Sequence, residues 1–217
     1  MSQPITPRAD RIARIETELW EAYYQRDWPR ELRLLVAMHR EFMGMSLLTA
    51  VRASYLSGRA AIAFAPLEGS DPDKARRYLV RYYTIVRRAL GCAAEADDLA
   101  GRELHYWITH RAVARRRRAE VLAGRPVDDP DLDEIAPVSD AFARLHAGLF
   151  NATPEAMGES GIRRAQAAAV VDRISGGYSP DVAADWARVE SYLRQAYQAI
   201  ETVTQAREQT PDKEMSR

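Results

Sequence analysis

The stretch PDVAADWARVESYLRQAYQAIETVTQAR, from Pro180 to Arg207, carries the clearest secondary-structure pattern in this chain. Its apolar side chains recur at steps of three or four residues, which places them on one face of an α-helix. A β-strand would instead alternate apolar and polar side chains at every second position. The stretch therefore predicts a long amphipathic helix, whose apolar face consists of Val182, Trp186, Val189, Leu193, Tyr197, Ile200 and Val203.

The rest of the chain carries the same helical signal, and no segment shows the strict alternation that is typical of a strand. Four helix starts are indicated by a side chain that can cap free backbone amides and is followed by proline; these side chains are Thr6, Asp71, Thr153 and Ser179. The sequence therefore predicts an all-α fold, a single helical-bundle-like domain of about eight helices.

The domain is expected to span residues 1–207, and residues 208–217 are expected to form a disordered polar tail. Five of the ten residues from Val127 to Ala136 are acidic, which predicts a solvated loop. This acidic loop offers an alternative division of the chain into units 7–124 and 138–207. A single domain is favoured, because the three short helices of the second unit would form a thin core alone.

Composition excludes several classes of protein. The 217 residues hold 31 basic side chains, nearly all arginine, and 31 acidic ones. Because binding to a phosphate backbone needs a basic surplus, no nucleic-acid partner is expected. The lone cysteine, Cys92, excludes an intramolecular disulfide. No N-terminal apolar run resembles a signal peptide, and Arg52 and Arg59 interrupt the charge-poor stretch 43–67, so a cytoplasmic protein without a membrane span is expected.

Sequence motifs of common enzyme classes are missing. The chain has no G-x-x-x-x-G-K-[ST] phosphate loop, no H-E-x-x-H zinc motif and no G-x-S-x-G nucleophile elbow. None of its four histidines has a glutamate three residues earlier, which argues against a regular di-iron carboxylate site. The sequence therefore leaves open whether the protein is an enzyme.

A candidate ligand pocket lies along the third predicted helix, from Ser46 to Ala65. Its two charged residues, Arg52 and Arg59, are seven residues apart and so share a face. We expect this helix to be buried at the centre, where the two arginines, with Tyr82 and Tyr106 of other helices, bind an acidic or aromatic small molecule. The alternative is that the arginines pair with carboxylates of neighbouring helices and that the tyrosines bond without any ligand.

A candidate metal site begins on the fifth predicted helix, where Glu103 and His110 are also two turns apart. With His146 and Asp172 of other helices, they could bind non-haem iron or manganese. The structural alternative is that Glu103 neutralises Arg59 or Arg52 and that His110 bonds to a backbone or hydroxyl partner.

Two further features concern partners. The tetrad Arg115–Arg118 is interpreted as a solvated helix end, because four consecutive residues point to all sides of a helix. The apolar face of the 180–207 helix either covers the core or pairs with its copy in a homodimer.

The function favoured by these patterns is that of a cytoplasmic all-helical binding protein with a polar interior pocket for an acidic or aromatic small molecule. A non-haem metal-dependent oxidoreductase is one alternative, with ligands on several helices. A protein-interaction or structural module is the other.

Overall fold

The computed structural model describes residues 9–209, which form eight α-helices and no strand. The all-α class predicted from the sequence is confirmed. In chain order, the helices are α1 (Ala9–Gln25), α2 (Trp28–Met43), α3 (Leu47–Phe64), α4 (Pro72–Leu90), α5 (Ala96–Leu122), α6 (Leu132–Phe150), α7 (Gly158–Ser175) and α8 (Val182–Gln209).

The eight helices form a closed ring. Each packs against the next in the sequence, and α8 returns to pack against α1. The apolar face of α8 closes this ring, since Val189, Leu193, Tyr197 and Ile200 are all buried. That face therefore covers the core of its own chain.

Proline-linked helix starts are only partly as predicted. Asp71 caps α4, accepting a hydrogen bond from the Lys74 amide at 2.8 Å. Thr153 instead accepts from the Ala156 amide in a turn ahead of α7, and Ser179 donates to Asp185 while Asp181 accepts from the Ala184 amide. The start predicted at Thr6 lies outside the described residues.

The prediction that the third helix is buried at the centre is wrong. α3 packs mainly against α4 and α2, and it turns a row of large apolar side chains outward, with Leu48 83% and Ile62 69% exposed. Its buried face is formed mainly by small side chains together with two large ones: Ala50, Ala53, Ser54, Leu56, Ala60 and Phe64. Because the helix is apolar on nearly all sides, its sequence does not reveal which side is buried.

The loop in the acidic segment 127–136 is shorter than predicted. α6 begins at Leu132, and Asp131 caps it by accepting a hydrogen bond from the Asp133 amide. Glu134 then forms an ion pair with Arg117 of α5 at 3.4 Å, so the charge of Glu134 is neutralised by a residue of a neighbouring helix. The expected tail, 208–217, begins inside α8, and residues 210–217 lie outside the described part of the chain.

Among the described residues, no helix is by itself both long enough and apolar enough to cross a membrane. Only α2 and α3 taken together meet that length and composition, and they are bent by 119° relative to each other.

Candidate functional site

A cavity of about 430 Å³ lies inside the ring, and each of the eight helices contributes to its wall. The wall is mainly aromatic and apolar, and a few polar side chains are set into it. The aromatic rings include Trp20, Phe42, Tyr82, Tyr106, Trp107 and Phe142. The charged or titratable groups include Glu16, Glu31, His39, Glu103, His110, His146 and Arg164.

Arg164 of α7 is the central cation of the wall. Its Nη1 donates to Glu16 Oε2 at 2.5 Å and to the Tyr197 hydroxyl at 3.4 Å, and that hydroxyl also donates to Glu16. Its guanidinium carbon lies 5.1 Å from the ring centre of Phe142 and 5.7 Å from that of Trp20. Burial opposes its charge, but Glu16 outweighs burial and raises the Arg164 pKa. Arg164 is therefore charged, held in place and surrounded by aromatic rings.

The Arg164 side chain also carries an unused donor. Its Nε is buried and has no hydrogen-bond partner among the described residues. Buried polar groups are nearly always paired, and an orphaned one costs about 1–3 kcal/mol. The Arg164 guanidinium therefore keeps one unsatisfied donor inside the protein.

Glu103 of α5 contributes a second polar point. The Tyr83 hydroxyl donates to its Oε2 at 2.8 Å. Burial raises the pKa of Glu103, although the bond from Tyr83 and the charge of Arg164 lower it in part. Its carboxyl group can therefore take up a proton more easily than an exposed one, and in that form it also donates a hydrogen bond.

Two buried histidines make the wall polar without charging it. His39 Nδ1 donates to the Leu35 carbonyl at 2.8 Å, which leaves Nε2 to accept from the Tyr82 hydroxyl at 3.1 Å. Burial lowers the His39 pKa to about 4. His146 contacts the Ser160 hydroxyl, and burial together with the charge of Arg164 lowers its pKa to about 3. Both rings are neutral at neutral pH.

The pKa of His110 shifts in the opposite direction, upward. Its Nε2 lies 3.0 Å from Asp172 Oδ2 of α7, and its ring stacks on that of Tyr106. Burial disfavours the charged ring, but the neighbouring Asp172 carboxylate outweighs burial and raises the His110 pKa. The pair links α5 to α7 beside the cavity.

The structure brings some of the predicted ligand-binding residues to the cavity and leaves others outside. Tyr82 and Tyr106 line it. Arg52 is exposed, and Arg59 lies against the Tyr55 and Tyr78 rings; neither arginine lines the cavity. The outward position of this side of α3 is the physical reason.

The four predicted metal ligands do not form one cluster. His110 and Asp172 bond to each other, whereas Glu103 bonds to Tyr83 and His146 to Ser160. Within residues 9–209, no group of three or more His, Cys, Asp or Glu side chains could hold a metal ion. Each of the four side chains instead has a hydrogen-bond partner of its own. The structural alternative had the partners wrong: His110 bonds to the Asp172 carboxylate and not to a backbone or hydroxyl group, and Glu103 bonds to Tyr83 and not to Arg52 or Arg59.

The sequence analysis missed Arg164 and its partner Glu16. One signal was available, because Arg164, Ala168 and Val171 follow each other at steps of four and three and so share the inner face of α7. Nothing in the sequence linked that face to Glu16, which is 148 residues away.

Comparison with known proteins assigns no family to this chain. No family model matches its sequence, and the searches of curated proteins and of solved structures found no match either.

Proposed function

We propose that this protein binds an aromatic small molecule inside its ring of helices. The observation that carries the proposal is the cavity of about 430 Å³ with an aromatic wall, to which all eight helices contribute. Ligand sites for small molecules typically occupy about 300–1,000 Å³ and combine a mainly apolar wall with a few placed polar groups.

The polar groups favour a ligand that carries a hydrogen-bond acceptor. Arg164 lines the cavity as a hydrogen-bond donor, and its bond to Glu16 fixes the guanidinium in position. Beside it, the partly exposed ring of Trp20 offers a flat apolar face against which a ligand ring can stack. An aromatic ring with a carbonyl, ether or similar acceptor fits this arrangement.

The charge balance of the wall favours an aromatic ligand over an acidic one. Arg164 is paired with Glu16, so its charge is already neutralised. Glu31 and Glu103 add acidic groups whose pKa values are raised by burial. An anion placed here would meet no surplus cation, and burying an unpaired charge is costly.

The proposal can be tested with the uncharged probe phenylnaphthylamine, whose fluorescence rises in an apolar site. The wild type should bind one molecule per chain in a saturable titration. Gly58 of α3 lines the cavity, and a Cβ added there meets no atom within 4 Å. Gly58→Phe should therefore block the cavity and weaken probe binding about tenfold or more. The variant should fold, because the change removes a helix-weakening glycine.

The matched control is Gly101→Phe on α5. Gly101 is also a helical glycine with open space around an added Cβ, but it does not line the cavity. This control should bind the probe as the wild type does. Absence of saturable binding to the wild type, or equal binding by the Gly58→Phe variant, would contradict the proposal.

A further inference from the structure

A second space, which we call the arginine cleft, adjoins the cavity. Its volume is about 390 Å³, and three arginines of α5 (Arg111, Arg115 and Arg118) lie along it. The cavity and the cleft share the residues that border both, namely Tyr23, Tyr24, Ala61, Trp107 and His110. The two spaces therefore lie side by side along these shared residues.

The three arginines share one face of α5, because they are spaced at steps of four and three residues. The other two arginines of the tetrad point elsewhere and are paired: Arg116 lies 3.9 Å from Glu120 and Arg117 lies 3.4 Å from Glu134. The tetrad is therefore divided. One half is paired with acidic residues, and Arg117 of that half is buried, which the interpretation as a solvated helix end did not predict. The other half lines the cleft.

The cleft carries a surplus of positive charge. In the part of the chain that the structure describes, no ion pair joins Arg111, Arg115 or Arg118 to an acid, and Asp172 is the one acidic residue among those lining the cleft. Asp172 is already bonded to His110. The sequence as a whole has no net charge, so this local surplus is a property of the fold.

Arg111 is fixed in place by neutral partners. Its Nη2 donates to the Phe64 carbonyl at 2.6 Å, and its guanidinium carbon lies 3.7 Å from the centre of the Phe64 ring. Burial, and after it the charge of Arg115, lowers the Arg111 pKa. Arg115 and Arg118 are exposed and free to approach a ligand.

We propose that the arginine cleft binds the anionic group of the ligand whose aromatic body occupies the cavity. The ligand class is then an aromatic molecule with a phosphate, sulfonate or carboxylate group, which guanidinium groups recognise through paired hydrogen bonds. This inference rests on the proposed function, and it deepens that function: the aromatic and the acidic ligand features predicted from the sequence belong to two adjoining spaces.

Two probes with the same aromatic body test the inference. Anilinonaphthalene sulfonate carries a sulfonate, and phenylnaphthylamine is its uncharged counterpart. The double variant Arg115→Gln, Arg118→Gln should weaken binding of the sulfonate about tenfold and leave phenylnaphthylamine affinity unchanged. High salt should likewise weaken only the sulfonate, because the cations concerned are exposed. Unchanged circular dichroism and thermal unfolding would establish that the variant is folded.

The matched control makes the same change in charge elsewhere. Arg14 and Arg88 are exposed, line neither the cavity nor the cleft and form no ion pair within residues 9–209. The double variant Arg14→Gln, Arg88→Gln should bind both probes like the wild type. Equal loss of sulfonate binding in the control would overturn the inference, because it would show a general charge effect.

The remaining outcomes separate the two proposals. If phenylnaphthylamine binds but sulfonate binding does not depend on Arg115 and Arg118, the inference is overturned and the proposed function stands. If neither probe binds the wild type, both are overturned. If the wild type binds no sulfonate but sediments with phosphatidylglycerol vesicles, the arginines serve a lipid surface and the inference is overturned.

Discussion

Buried histidines show at the residue scale how this interior gains polar groups without gaining further charge. His39 and His146 line the cavity with hydrogen bonds to hydroxyl and carbonyl groups, and burial lowers their pKa values to about 4 and about 3. Neutral rings of this kind add polarity to the wall without the cost of a buried charge. They leave Arg164, paired with Glu16, as the fixed cation of the cavity.

This arrangement predicts a pH-dependent stability. Because the folded pKa values lie below the usual 6.5, the unfolded chain takes up protons first as the pH falls. The free energy of unfolding should therefore decrease between pH 6.5 and pH 4, by up to about 1.4 kcal/mol per pH unit for each histidine. His146→Gln should make this slope shallower in urea titrations. His105→Gln, a change of an exposed histidine, should leave the slope as it is in the wild type.

An equal slope in the wild type and in His146→Gln would mean that His146 is protonated in the folded protein. In that case the His146 ring adds a positive charge to the cavity wall, which is described above as neutral at this position.

At the residue scale, the sequence predicts where a side chain lies only when the local pattern determines which way it faces. Tyr82 and Tyr106, predicted as pocket residues, do line the cavity. Arg52 and Arg59 do not, because α3 is apolar on nearly all sides and its pattern is equally compatible with either side being buried. Arg164 was missed because its role depends on Glu16, at a distance along the chain that no periodicity covers.

At the scale of elements, helix ends are likewise predictable from the sequence only where local contacts determine them. Asp71 with its following proline starts α4 as predicted, since both cap and proline act on neighbouring amides. Ser179 precedes a proline in the same way, but its hydroxyl bonds to Asp185, which also pairs with the buried Arg173. The ion pair between Asp185 and Arg173 therefore places an acceptor for the Ser179 hydroxyl, which bonds there and does not cap the helix. The sequence around Ser179 does not predict this.

The cap of α4 gives a prediction at this scale. Asp71→Ala removes the acceptor for the Lys74 amide and should lower the free energy of unfolding by about 1 kcal/mol. Asp71→Asn keeps an acceptor at the same position and should cost less than half of that. Both values follow from chemical denaturation. A cost for asparagine as large as that for alanine would show that the side chain does not act as a cap.

At the scale of the whole molecule, the ring of helices brings the separate inner faces of its helices together around one cavity. The helical periodicity predicted the number of helices and the apolar face of α8, which packs against α1 and α7. It did not predict the cavity, because the residues of its wall come from eight helices. Which inner faces meet depends on crossing angles and helix order in space, and these are not local properties of the sequence.

Methionine methyl groups can report directly whether an aromatic molecule occupies this cavity. Met38 and Met43 line the cavity, whereas Met45 and Met157 are buried but do not. In NMR spectra of methyl-labelled methionine, phenylnaphthylamine should shift the Met38 and Met43 signals through its ring currents, saturating at one molecule per chain. The Met45 and Met157 signals should stay in place. Unchanged Met38 and Met43 signals at saturating probe would contradict the proposed function.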